Sequence, residues 1–405
     1  MSQFTHTRAI LSIDGGGIRG VIPAKVLVEM EKRISEISGD EFTRIAEVFD
    51  LIAGTSTGGI LACGLTVKDQ ETQLPKYSAT DLLNIYKGEE RKVIFKKKLG
   101  WFSLDGWWFG SKFRDKGIKK VLEEKLGNFE LKETFTDILI TSYDTALKKP
   151  FYFYTPHAQE DEVNENFELK DIARSTSAAP TYFPPHRIPE LDNEIKDTQV
   201  ANGKHLALVD GGVFANNPSV LAYVLEREKW KKSKEYKIRT LALEKVLGDK
   251  GTVGKVGSDN FDVPFLLISI GTGKTRKPYA YKKTRRLWKS QWIKPLFDIL
   301  MQGVSESVHF QMEHLLPKYQ DPEDPSSTTR RYYRFNIELP EDSPEIDNVS
   351  QMHIDSLVVS GNSLISSETK IDSALQEDPD NLPSVDQALE IVCELLVEMA
   401  RAKKK

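Results

Sequence analysis

The sequence predicts an α/β fold with a mainly parallel central sheet. Three observations carry this. Residues 8–13, 48–53 and 265–270 are short, almost wholly apolar runs, the composition of strands buried on both faces. The first two pass through glycine-rich turns into helical spacing, the strand–turn–helix order of a parallel sheet. Polar residues able to do chemistry, Ser56 and Asp210, fall at strand ends, where open α/β sheets build their sites.

The bulk numbers bound the rest. A chain of 405 residues holds one large α/β domain or two smaller ones, and 39% hydrophobic with 29% charged residues is ordinary globular composition. A net charge of −4 gives no global basic field for nucleic acid. Cys63 and Cys393 both lie in apolar runs, which predicts reduced, buried thiols rather than a disulfide or a zinc site. Residues 1–8 lack the apolar core of a signal peptide, and no apolar run is long enough to cross a bilayer; a cytoplasmic location is expected.

In chain order, the strand at 8–13 runs straight into Asp14-Gly15-Gly16-Gly17-Ile18-Arg19-Gly20, followed by helical spacing through Val26, Leu27, Met30, Ile34 and Ile37. Such a turn lets several backbone N–H groups converge on an anion. Two functions fit: a phosphate loop, because Gly15, Gly17 and Gly20 satisfy Gly-x-Gly-x-x-Gly, or an oxyanion hole. The dinucleotide version wants an acidic residue closing a second strand about 20 residues later; residues 33–45 are instead charged and helical, then polar. Next comes Gly54-Thr55-Ser56-Thr57-Gly58, a Gly-x-Ser-x-Gly between the run at 48–53 and a buried helix start at 60–65. In a nucleophile elbow the serine takes strained backbone angles and the flanking glycines give the chain room. Ser56 is therefore the candidate nucleophile, with Gly54 and Gly58 as elbow glycines. Paired with such a serine, the upstream glycines favour the oxyanion reading.

Residues 66–79 read as a loop and 79–86 as a helix. The run Arg91-Lys92-Val93-Ile94-Phe95-Lys96-Lys97-Lys98, followed by Trp101, Phe102, Trp107, Trp108 and Phe109, suits either a membrane-interface contact or a solvated charge run beside core aromatics. An amphipathic helix follows at 112–126, then strands at 138–143 and 151–154 around a turn. Residues 171–180 form a helix rich in small residues that stops before Pro180, suited to packing against the elbow. The strand at 206–209 empties into Asp210-Gly211-Gly212, where Asp210 is either a base or the cap of an Asx turn. The run at 265–270 ends at Gly271-Thr272-Gly273-Lys274, but a phosphate loop of the Gly-x4-Gly-Lys kind needs glycine where Ile268 stands. Residues 276–289 read as a basic, polar excursion; the stretch 274–289 is either a solvated loop or a site for a phosphorylated small-molecule activator. Helical spacing returns at 292–316, carrying His309 and His314, then a strand at 331–337 and an amphipathic helix at 383–402.

Strand–glycine turn–helix, strand–Gly-x-Ser-x-Gly–helix and strand–Asp-Gly-Gly, in that order, resemble the patatin-like phospholipases, which are lipid acyl hydrolases. Residues 175–180 and 268–273 are also similar, and the resemblance runs from Arg8 to about Leu316. It implies a three-layer α/β/α fold with a catalytic domain over 1–320 and a C-terminal strand and helical segment, 321–405, packed on the same domain. It also implies a Ser56–Asp210 dyad, with Gly15, Gly16, Gly17 and Arg19 in the oxyanion loop and neither cofactor nor metal. The substrate would be a membrane phospholipid or other glycerolipid, with peripheral membrane contact and no nucleic acid. No histidine–cysteine or acidic cluster has metal-ligand spacing, so calcium independence is expected. The rival mechanism is a triad of Ser56, Asp210 and then His309 or His314, the chain order of α/β-hydrolases; His186 lacks an evident partner. Two further classes stay open, a nucleotide-binding protein using the glycine loop and a non-catalytic binding or scaffold protein on a hydrolase fold, and within the family a ligand-gated, membrane-degrading effector is the alternative.

Overall fold

The computed structural model describes residues 8–97, 111–160, 165–189, 205–233, 265–275, 279–320, 328–341, 343, 345–375 and 381–404. Its main sheet contains β1 (Arg8–Ile13), β2 (Leu51–Gly54), β3 (Asp137–Asp144), β4 (Lys149–Tyr154), β5 (His186–Pro189), β6 (His205–Asp210), β7 (Phe265–Ile270) and β8 (Tyr332–Phe335). The order is β8-β7-β1-β2-β3-β6-β5, with β4 also on β3. From β8 to β3 every neighbour is parallel. The pairs β3–β4, β3–β6 and β5–β6 are antiparallel.

The pairing around β3 brings the site together. β4 covers residues 139–144 along one edge of that strand, so β2 and β6 share the other. β2 pairs with residues 137–140 and β6 with residues 142–144, running in opposite directions. Their carboxyl ends, Gly54 opposite Ile140 and Asp210 opposite Ser142, therefore meet head to head.

Strand residues alternate between two cores, as the two-residue period of a doubly covered sheet requires. Ala9, Leu11, Ile13, Ile52, Ile138, Ile140, Ile268 and Ile270 feed one. Ile10, Leu51, Ala53, Leu139, Phe265 and Leu267 feed the other. The first face carries most of the helices: α1 (Val21–Ser38), α2 (Thr57–Thr66), α3 (Ala79–Lys87), α4 (Glu90–Ile94), α5 (Asp115–Leu126) and α6 (Leu169–Thr176). The second carries α7 (Ser219–Lys231) and α8 (Ile293–Leu315) through Ala222, Trp230 and Met312. Near the C-terminus α9 (Gln351–Leu364) and α10 (Val385–Lys404) return to the first face beside α1. Arg33 on α1 ties α10 down through Asp386 at 2.6 Å and Glu390 at 3.3 Å. The result is a three-layer α/β/α fold. Cys63 and Cys393 are both buried and unpaired.

Several expected elements change at their ends. β2 starts at Leu51 rather than 48, because the Asp50 carboxylate takes the Ala9 N–H at 2.7 Å and the Arg8 guanidinium at 3.2 Å, fixing a corner just before the strand. The helix expected at 171–180 is α6, which ends four residues before Pro180. The basic stretch after Lys274 is not simply a polar loop: it holds a helical turn at Tyr281–Thr284 and a 3₁₀ turn at Lys289–Trp292. Among the described residues no helix is long and apolar enough to cross a membrane.

Candidate active site

The glycine turn after β1 is pinned on every side. Gly15 donates its N–H to Asn216 O at 3.1 Å, and its carbonyl accepts from Thr272 Oγ1 at 2.8 Å. Ile18 N–H donates to Ile346 O at 2.8 Å, with Gly17 at φ 57° beneath that carbonyl. The N–H groups of Gly16 and Gly17 have no partner among the described residues. Beneath the turn lies a buried ion pair: Arg334 on β8 grips Asp14 with two hydrogen bonds, at 2.8 and 2.6 Å, and adds Ser269 Oγ at 2.7 Å. Burial pushes the Asp14 carboxyl above the usual range, and the guanidinium pulls it part of the way back. Ser305 on α8 closes the group, donating to Asp14 Oδ2 at 3.3 Å and accepting from Asn216 Nδ2 at 3.0 Å.

Ser56 caps α2 with φ 55° and ψ −121°, angles that a residue with a Cβ seldom adopts and that cost about 1–3 kcal/mol. Contacts on both sides hold it there. Its N–H donates to Thr176 Oγ1 on α6 at 2.8 Å, so α6 does pack on the elbow. Thr55 Oγ1 bonds Thr141 Oγ1 and Ala215 O, each at 2.7 Å. The glycines are steric necessities: a Cβ on Gly54 would strike Gly58 O, and one on Gly58 would strike Ile13 O. Gly15 comes so close that its own Cβ would sit 3.1 Å from that of Ser56.

Asp210 ends β6 and is 1% exposed. Its N–H donates to Ala178 O at 3.1 Å, and its Oδ1 accepts the Gly212 N–H at 2.8 Å, the Asx-turn geometry. Oδ2 is buried without a fully formed hydrogen bond. Burial raises this carboxyl from 3.8 to about 7, while the neighbouring Ser56 hydroxyl and the Gly212 N–H offset part of the effect. A buried carboxyl poised near neutrality beside a strained serine is the state a general base needs.

Two cavities meet at this point. A narrow one of about 60 Å³ holds Ser56 and Asp210 among Ile18, Ile60, Ile85, Ile94, Phe95 and Phe183. A larger one of about 760 Å³ has a mixed lining, with Arg19, Lys274, Asp298, Glu345 and Asn336 alongside Tyr279, Leu287, Ile299 and others. Phe297 and Met301 of α8, with Ile346, border both. Met301 lies directly over the site: its Cε would be 3.3 Å from a Cβ on Gly15, and its Sδ 2.5 Å from one on Gly212. Arg19 lines the larger space rather than the cleft; burial disfavours its charge, and Asp298 and Glu345 offset part of that.

Other candidates fall elsewhere. Among the described residues no histidine borders either cavity, so the triad reading has no base to use. His309 is buried against Tyr332, with Nδ1 3.1 Å from its hydroxyl, and burial lowers its pKa to about 4. His314 is turned back on Phe310 O at 2.9 Å, and His186 is paired with Asp171 at 2.8 Å. The glycine turn is packed on its Cα side, with Ile346 O over Gly17 and the Thr272 side chain against Gly16, while Gly15 and Gly16 line the larger cavity. Arg91 is no part of a solvated or membrane-facing run: it is buried and reaches Gln351 Oε1 at 2.6 Å and Val349 O at 3.3 Å. Lys98 and the aromatics from Trp101 to Phe109 lie outside the described residues. Among those residues no group of histidine, cysteine or acidic side chains is arranged to hold a metal ion.

Sequence reasoning did not single out Arg334, Asn216, Ser305 or Met301. Arg334 had a signal: a lone arginine between aromatics in Tyr332-Tyr333-Arg334-Phe335 has to find a buried partner. Met301 had none, since nothing local says which side of its helix faces the site.

The family model described as Patatin-like phospholipase matches residues 11–223. The chain is similar to Patatin-like protein 1 of Arabidopsis thaliana, with 34% identity over 312 residues covering 74% of this chain and 69% of that protein. It is also similar to Patatin-like protein 4 of Arabidopsis thaliana, with 28% identity over 422 residues covering 100% of this chain and 95% of that one. Patatin-T5 of Solanum tuberosum is 28% identical over 90% of this chain and 85% of its own length. A solved structure, VipD from Legionella pneumophila, aligns over 91% of this chain and 68% of its own at a TM-score of 0.32 and 9% identity, too slight a likeness to argue from.

Proposed function

The chain belongs to the patatin-like phospholipase family, a family of lipid acyl hydrolases, and on that premise we propose that it cleaves fatty-acyl esters of glycerolipids with a Ser56–Asp210 dyad. The observation that carries the reading is the head-to-head meeting of β2 and β6 along β3, which sets a strained serine beside a buried carboxyl near pKa 7.

In this mechanism Ser56 Oγ attacks the ester carbonyl carbon while Asp210 Oδ2 takes the hydroxyl proton. The carbonyl oxygen becomes an oxyanion held by the N–H groups of Gly16 and Gly17; losing one such donor typically costs about 3 kcal/mol of barrier. Gly15 shapes the turn rather than donating, since its N–H is committed to Asn216. Collapse breaks the ester C–O bond, and the proton on Asp210 leaves with the alcohol. Water then attacks the acyl-Ser56 carbonyl, gives a proton to Asp210, and Ser56 leaves with that proton as the fatty acid departs. Asp210 ends ionised, as it began.

The apolar cleft suits the acyl chain, and the larger chamber, where Arg19, Lys274 and Asn336 stand among apolar side chains, has polar groups for the head group. At about 60 Å³ the cleft holds only a few methylenes, so Phe297 and Met301 must swing aside for a long chain to enter.

The test is hydrolysis of short- and long-chain acyl esters by wild type, Ser56→Ala and Asp210→Ala. Loss of turnover in both variants, with the thermal unfolding of Ser56→Ala close to wild type, supports the dyad. Turnover kept in Ser56→Ala rejects it.

A further inference from the structure

We propose that residues 279–300 are the face this protein lays on an anionic lipid surface. Fourteen large hydrophobic side chains stand exposed among the described residues, and six of them fall in this one stretch: Tyr279, Tyr281, Trp288, Leu296, Ile299 and Leu300. Trp288 is 79% exposed and Tyr281 75%. Tyr279 and Ile299 also border the larger cavity, so this exposed apolar stretch runs up to the site. Exposed apolar side chains gathered in one stretch mark an interaction site, and tryptophan and tyrosine are the side chains that settle at a bilayer's headgroup level.

Charge selects the partner. Residues 279–292 contain five basic and no acidic residues in a chain whose net charge is −4. Lys282, Arg285 and Arg286 are exposed there, with the Arg285 guanidinium 6.0 Å from the centre of the Tyr281 ring. Basic residues interleaved with exposed aromatics and followed by an apolar helix face match an interface of anionic head groups over acyl chains.

The helix itself couples this face to the site. On α8, Leu296 and Leu300 share one exposed side at four-residue spacing, and the half-exposed Ile299 beside them also borders the larger cavity. The opposite side carries Met301 over the dyad and Ser305 onto Asp14. A helix with its inner side on the site and an apolar outer side in water gains by burying that outer side in lipid, and any shift it makes moves Met301. This inference rests on the glycerolipid-hydrolase reading, and its test reads binding apart from turnover.

The experiment measures sedimentation of the full chain, carrying Ser56→Ala, with vesicles of phosphatidylcholine alone or containing about a third phosphatidylglycerol. The expected result is strong partition onto the anionic vesicles and weak partition onto the neutral ones. Arg285→Glu/Arg286→Glu lowers it by roughly tenfold or more, and Trp288→Ala/Leu296→Ser/Leu300→Ser does the same. In the background with Ser56 intact, both sets keep turnover of a water-soluble short-chain ester and the wild-type unfolding temperature. Unchanged vesicle partition in both sets overturns the proposal. So does absence of vesicle binding together with a dimer in light scattering that the apolar set abolishes, which assigns the face to a second copy. Vesicle binding lost in the variants, alongside no ester turnover by wild type, would keep the docking face and reject the hydrolase reading.

Discussion

Replacing Asp210 by asparagine tests whether the site is held against the stability of the fold. Burial raises this carboxyl from 3.8 to about 7. Between those values the folded protein keeps a proton that the unfolded chain has released. Stability therefore falls as pH rises through this window, and the loss is complete above the folded value. Roughly three pH units at about 1.36 kcal/mol each give an order-of-magnitude penalty near 4 kcal/mol at about pH 8. Asparagine is uncharged at every pH and keeps an oxygen for the Gly212 N–H, the hydrogen bond that orients the side chain. Asp210→Asn should thus unfold several degrees above wild type at about pH 8, with the gap closing toward about pH 4. Thermal and urea unfolding of the two proteins across that range measures it directly. A stability difference that does not change with pH, or a wild type more stable than the variant at the alkaline end, would refute the argument. The same variant should lose ester hydrolysis, because the neutral amide cannot take the serine proton.

The same carboxyl sets a pH profile. As the ionised form is the base, kcat/KM on a soluble ester should rise with pH through about 7 and fall about tenfold per pH unit well below it; a flat profile from about pH 5 to 8 would count against Asp210 in that role. Arg334→Met should leave Asp14 buried without its partner, lowering stability by about 3–5 kcal/mol in urea unfolding, whereas an unchanged midpoint would show that the pair does not hold the glycine turn. His309→Gln should leave ester turnover near wild type, since the ring lies against Tyr332 away from both cavities. A loss approaching about 10⁶-fold, as for a triad base, would reinstate the histidine.

How much of this was legible in the chain follows from how local each feature is. The apolar runs of β1 and β7 could be read because strands covered on both faces leave no polar alternation to confuse them. Gly54 could be read because its reason is local and steric, the elbow passing within collision distance of its own Gly58 carbonyl; Gly58 came with the same motif, although the carbonyl that requires it is that of Ile13 on β1. The helix at 292–316 was equally plain, yet its two roles were not, because helical spacing reports that a face exists and not what it covers. The Asp14–Arg334 pair joins residues 320 apart: the aromatics beside Arg334 announce a buried guanidinium but not which carboxylate it meets. Arg91 was hidden for the opposite reason, since a run of neighbouring lysines makes one buried guanidinium look like part of a solvated patch.

The meeting of Ser56 and Asp210 is the least local feature of all, and it explains why the site tolerates two unfavourable groups at once. β2 and β6 are each short, and neither could hold a strained serine or a buried carboxyl alone. They share one edge of β3, whose other edge is covered by β4, so neither strand end can slide without breaking the ladder beside it. The Thr176 hydroxyl then fixes the Ser56 N–H from α6, and Ala178 O, two residues further along the chain, fixes the Asp210 N–H. One short segment, residues 176–178, thereby sets the relative position of both groups. A substitution there that shifts this backbone, with neither Ser56 nor Asp210 altered, would be felt at the dyad before it was felt in the fold.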